Sequence, residues 1–115
     1  MIAVPTANTR KFIEHARHFD AIYIELGVIR VIEGWGDNVH DGKVTDFRRA
    51  VQATTEETVA SSWVEWTDKV THDAGMKRMM EDPRMDPSTP GNPFMPFDGK
   101  RMIFGCYEPV VEVKA

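Results

Sequence analysis

Apolar residues at Phe12, Ala16, Phe19, Tyr23 and Leu26 recur at helical spacing, with Arg10, Glu14, Arg17 and Glu25 between them. The pattern predicts an amphipathic helix over Thr9–Leu26. Thr6 and Asn8 are suitable caps before it, and Gly27 suits the left-handed position just past its end. Ile2–Val4 before it is short, apolar and stopped by Pro5, which reads as a strand. Val28–Trp35 is rich in β-branched residues and predicts a second strand. Gly36-Asp37 and Asp41-Gly42 punctuate the connection that follows. Thr45-Asp46 can cap a short helix through Ala53, with Phe47, Ala50 and Val51 inward. Thr58–Trp66 predicts a third strand. Thr67-Asp68 then starts a second long helix to about Glu81, its apolar side built from Met76, Met79 and Met80. Pro83, Pro87, Pro90, Pro93 and Pro96 forbid regular structure, so residues 82–99 predict a loop. Arg101–Tyr107 predicts a last strand, ended by Pro109.

The order is β-α-β, a short helix, then β-α-β. It predicts an α+β fold of the ferredoxin-like βαββαβ type, an antiparallel sheet with both long helices on one face. Strand alternation puts Ile29, Val31, Glu33 and Trp35 on one side and Val28, Arg30, Ile32 and Gly34 on the other. In the third strand Val59, Ser61, Trp63 and Glu65 oppose Ala60, Ser62, Val64 and Trp66. Both sides of each strand carry large apolar groups, so both faces of the sheet call for a partner. Helices cover one. A second copy of the sheet, packed face to face, is the economical cover for the other.

Composition narrows the class. The chain has 115 residues, which predicts a single domain over 1–115, and 42% are hydrophobic and 28% charged, which argues against disorder. A net charge of -4 disfavours nucleic-acid binding, which draws on a basic face. Cys106 is the one cysteine, so no internal disulfide forms, and a reducing cytoplasm is the expected compartment. No apolar run approaches the ~20 residues that span a bilayer, so no membrane partner is expected.

Candidate chemistry is sparse. Glu33 and Glu65 share parity with Trp35 and Trp63 on strands expected to be neighbours. If that face lies between subunits, two carboxylates sit in an aromatic-walled cavity where burial would raise a pKa and create a general base. The plainer reading pairs each with an arginine such as Arg30, Arg48 or Arg101, or opens it to solvent. His72, one turn before Met76, is either a proton shuttle facing a pocket or an edge-of-core residue with bonded ring nitrogens. His15 and His18 lie three apart on the first helix, but spacing places no further ligands beside them, so no metal is called for. Trp35 and Trp63 either stack a planar ligand or anchor an interface. Lys100 and Arg101, in the turn Asp98-Gly99-Lys100-Arg101, either meet an anion or close a turn through an Arg101 ion pair. Cys106, in an apolar strand, reads as inert. Nothing calls for a cofactor.

Six segments stand in a familiar order. They are Val4-Pro5-Thr6-Ala7-Asn8, Glu33-Gly34-Trp35-Gly36-Asp37, Asp41 to Arg48, Ser62-Trp63-Val64-Glu65-Trp66, Met79 to Met85 and Met95 to Gly105. Together they resemble the YbaA-like family of bacterial proteins, a domain of unknown function, from Met1 to about Glu108. The resemblance implies a dimeric α+β barrel closed by two ferredoxin-like sheets, and it carries over no catalytic residues. Relatives have several more residues before the strand ending at Val4, so here the strand is short or the start lies upstream. The expected molecule is therefore a homodimer that binds a small molecule or serves a structural role. The alternative is a cofactor-independent oxygenase or isomerase using the space between sheets.

Overall fold

A computed structural model describes the chain from Met1 to Ala115. It has three strands, β1 (Ile2–Pro5), β2 (Arg30–Trp35) and β3 (Glu57–Glu65), and three α-helices, α1 (Thr9–Glu25), α2 (Phe47–Ala50) and α3 (Lys69–Glu81). The strands form one antiparallel sheet in the order β1-β3-β2. The fold is mixed α+β, as the hydrophobic pattern predicts.

Local chemistry explains the element ends. Asp46 and Asp68 cap α2 and α3, each accepting a backbone N–H three residues on, from Arg49 and Thr71, at 2.7 Å. Gly27 follows α1 with φ +110°, a conformation that suits only glycine at low cost. Asn8 stands at the α1 start, but its side-chain amide donates to the Pro96 carbonyl at 3.0 Å and so ties the proline-rich loop to the helix.

Pairing fixes which residues share a face. Ile2 lies opposite Ala60 and Val4 opposite Thr58, while Val31, Glu33 and Trp35 lie opposite Val64, Ser62 and Ala60. This face meets α1: Ile2, Val4, Phe12 and Ala60 form a buried cluster with Trp35 and Phe97 against it. The Phe12 and Trp35 rings are 5.3 Å apart. Phe19, Ile22 and Leu26 continue the buried stripe of α1, joined by Met79 and Met85. Met76 and Met80 stay exposed, so only part of the predicted methionine side packs inward. α3 approaches through Gly75, where a Cβ would stand 2.3 Å from the Trp66 ring and 2.8 Å from the Leu26 carbonyl oxygen. The close approach leaves most of α3 in solvent.

The opposite face departs from expectation in one respect. It is not bare along its whole length. Val51, at the end of α2, packs on Ala3 and Val59, and all three are buried. The same face continues through Ile32 and Trp63, which are 47% and 54% exposed, to Arg30 and Glu65. Its own chain covers one end and leaves the other open.

The predicted strand over Arg101–Tyr107 does not form. Arg101 closes a 3-10 turn over Gly99–Arg101, and no strand follows. Only one pair is made: Met1 and Ile103 exchange both backbone hydrogen bonds, at 2.8 and 3.0 Å. That mutual exchange is antiparallel. Residues 102–115 are exposed throughout. β1 is thus an edge strand and not a central one. The radius of gyration is 15.3 Å, above the ~13 Å of a compact chain of this length, in keeping with an arm outside the core.

Candidate functional site

Four titratable groups converge where β2 meets α1 near the start of β1. Glu33 lies opposite Ser62 and accepts its hydroxyl hydrogen bond at 2.5 Å. Asp20, one turn before Tyr23 and Ile24 on α1, lies beside the Glu33 carboxyl. Burial first, then the nearby Glu33 carboxyl, pushes the Asp20 carboxyl up to about 7. The Tyr23 hydroxyl is pushed up by burial and by the same two acids. Burial lowers the Met1 amine, and the Glu33 charge opposes the shift. A carboxyl raised toward neutrality, as Asp20 is, can pass a proton to or from a bound molecule.

Glu65 does not join this group. The pairing sets Arg30 opposite Glu65 and Ile32 opposite Trp63, so Glu65 and Trp63 face away from α1 while Glu33 and Trp35 face toward it. The expected carboxylate pair in one aromatic-walled cavity is therefore corrected. Alternation holds within each strand, but the phase between strands is set by the register, one residue from the expected alignment. Glu65 accepts from Arg30 at 2.6 Å and from Trp63 Nε1 at 2.9 Å. Those bonds, Arg30 first, hold its carboxyl below the usual range. It is an ionised anchor and not a neutral-pH base.

Arg101 is occupied as well. It grips the buried Glu57 through two 2.7 Å bonds, with Asp98 and the Gln52 carbonyl as further acceptors. The Arg101 bonds, with the Thr54 N–H, hold Glu57 at about 2. Of the two expectations at this turn, the ion pair is the one formed, and Lys100 stays exposed beside it. His15 and His18 pack on Phe19, with His18 also bonded to Asn92. No three potential metal ligands come together anywhere in the chain. His72 places Nδ1 2.9 Å from Asp73 and Nε2 3.4 Å from the Cys106 sulfur, its ring edge-on to Trp66.

Two of the surface hollows are wide open to solvent. One lies over the α2 turn, where Arg49 bonds Asp46 and the Val44 and Gly42 carbonyls, and Arg48 bonds the Glu57 and Thr54 carbonyls. The other runs between Pro5, Glu57 and Phe94–Asp98. Neither contains an unpaired arginine, and neither includes the Asp20–Glu33 pair. No helix is long and apolar enough to cross a membrane.

Residues 1–99 match the family described as "Protein of unknown function (DUF1428)". The chain belongs to this family. It is similar to "Uncharacterized protein YbaA" of Escherichia coli K12, 42% identical over 112 residues that cover 97% of this chain and 93% of the relative. The same figures hold for the proteins of that name in Escherichia coli O157:H7 and Shigella flexneri. The YbaA-like resemblance read from the six segments is borne out. The DUF1428 match takes in Asp20, Tyr23, Glu33 and Ser62 and ends before Lys100, Arg101 and Cys106. Asp20 was not among the residues singled out by sequence. Its signal lay in helical spacing: Asp20 follows the buried Ala16 by four positions, on the side of α1 that meets the sheet.

Proposed function

We propose that this DUF1428 chain is a homodimeric binding module, in which the open part of the sheet closes on a second copy and the space between the sheets receives a small molecule. The observation that carries this reading is the strip of Ile32 and Trp63. Both sit mid-strand, half exposed, on a face whose other end is buried under Val51. Tryptophan is enriched at interfaces, where its large area anchors a contact. The C-terminal arm adds Phe104, Tyr107, Val110, Val111 and Val113, each at least 80% exposed. That is more apolar surface than one isolated chain usually leaves in water. Sedimentation equilibrium at micromolar concentration tests the dimer. The expected species is two chains for the wild type and one for Trp63→Glu. A thermal-shift screen tests the ligand. A compound that stabilises the wild type and not Trp63→Glu supports the module, since bound ligand raises stability by mass action.

The Asp20–Glu33 pair favours a second reading, a cofactor-independent enzyme of the oxygenase or isomerase type. Its base would be Asp20, on the α1 side of the sheet and apart from the space between the sheets, and not Glu65, whose bonds to Arg30 and Trp63 keep it charged. Asp20→Asn and Glu33→Gln would then abolish turnover of any substrate the screen identifies and leave its binding in place.

A further inference from the structure

After Ile103 the chain leaves the sheet edge and brings Cys106 to α3. The sulfur lies 3.4 Å from His72 Nε2, within the reach of a thiol hydrogen bond. The other ring nitrogen, Nδ1, lies 2.9 Å from Asp73 Oδ1. The imidazole is edge-on to Trp66, with ring centres 5.3 Å apart and planes at 82°. Its side chain is 24% exposed, while Cys106 is open to solvent. The cysteine is thus one member of a series: nucleophile, base, and a carboxylate that orients the base.

The series has a definite polarity. Asp73 is held below the usual carboxylate range, by the His72 hydrogen bond first, and so is charged at neutral pH. A carboxylate on Nδ1 keeps the ring proton there, which leaves the Nε2 lone pair facing the thiol. The same carboxylate steadies the imidazolium that forms when the thiol proton crosses. Trp66 backs the ring and limits its rotation.

We propose that Cys106 is a reactive thiol, with His72 as its base and Asp73 as a positioning residue, and that it takes low-molecular-weight disulfides. The step balances without another reactant. Nε2 accepts the thiol proton, and the thiolate attacks one sulfur of the disulfide. The old S–S bond breaks, and a new one joins Cys106 to that half. The departing thiolate takes the proton back from His72. Cys106 is oxidised and the departing half reduced. Charge passes from sulfur to sulfur, so no oxyanion-binding group is needed, and none flanks Cys106. The chain has no second cysteine, so the mixed disulfide persists. It would stand between the arm and α3 and part them. The proposal does not draw on the carboxyl pair.

The test uses the full chain with oxidised glutathione and, separately, iodoacetamide at pH 7, followed by intact mass. A free thiol is only a few per cent thiolate at pH 7, so native Cys106, with the His72 base 3.4 Å away, should react about 10-fold faster than the same chain unfolded in urea. One glutathione adduct is expected. His72→Ala should return the rate to that of the unfolded chain. Asp73→Asn should lower it several-fold without loss of helix content, since Asp73 is 58% exposed. A native rate no faster than the unfolded one would overturn the proposal, as would an unchanged rate in His72→Ala. If His72→Ala does not fold, the Asp73→Asn rate and the native-to-unfolded ratio decide.

Discussion

The two faces of one small sheet have different fates. Toward α1, side chains from β1, β2 and β3 close a core around Ile2, Val4, Phe12 and Ala60, with Trp35 at its edge. Away from α1, Val51 after α2, with Met1, Val39 and Ala53 packed alongside, covers Ala3 and Val59, and the strip through Ile32 and Trp63 meets water. Each face also carries a glutamate. Glu33, on the covered side, lies beside Asp20 and accepts from Ser62, whereas Glu65, on the open side, is locked to Arg30. The same residue type on neighbouring strands stands against a second acid or against an arginine according to the side it faces. The chain completes one core by itself and leaves the other unfinished.

Substitutions at two aromatics sharpen the contrast most. Phe12→Ala, on the closed side, should cost about 3–5 kcal/mol of folding stability, the usual effect of emptying a buried aromatic site, measured by urea denaturation. Trp63→Glu, on the open side, should leave the fold of the single chain intact, read as an unchanged far-ultraviolet spectrum. It should weaken self-association about 30-fold or more, as expected of an interface anchor worth ~2 kcal/mol. If Trp63→Glu instead unfolds the chain and Phe12→Ala does not, the two faces have been assigned the wrong way round.

The closed side also depends on close approach. Gly75→Ala puts a Cβ into the Trp66 ring and against the Leu26 carbonyl. It should destabilise by about 1–3 kcal/mol through overpacking, and α3 should lose hydrogen-exchange protection before the sheet does. A neutral result would mean that α3 is free to shift over Trp66.

The smallest expected effect concerns pH. The Asp20 folded value, about 7, lies above its unfolded value. Its contribution is therefore fully present below about pH 4 and is lost as pH rises through 7. Glu57 and Asp46, both held at about 2, act in the opposite sense: their contribution is present above the unfolded carboxylate range and lost as pH falls toward 2. Wild-type stability should peak in the mildly acidic range. Asp20→Asn should flatten only the decline between about pH 4 and 7, by on the order of 1 kcal/mol after solvent screening of a half-exposed group. An identical decline in the variant would mean that Asp20 is not raised by its surroundings.

The parts legible in the sequence are those that local chemistry determines. The α1 stripe follows from spacing, the starts of α2 and α3 from Asp46 and Asp68, and the stop after α1 from Gly27. Strand alternation was legible too, but not the phase between β2 and β3, because register depends on which backbone groups meet and not on either strand alone. This one step moved Glu65 away from Glu33. The strand expected over Arg101–Tyr107 does not form beyond the single Met1–Ile103 pair, because strand propensity is realised only where packing brings a partner edge. Asp20 was passed over and Cys106 read as inert because their neighbours, Glu33 and His72, are distant in sequence and meet them only through packing.

The unfinished face is the central claim, and the solution mass of the wild-type chain at about 10 μM tests it most directly. The account predicts the mass of two chains by sedimentation equilibrium, falling to one in Trp63→Glu. A wild-type chain that sediments as one copy at that concentration, with Trp63 still emitting as a solvent-exposed indole, would contradict it.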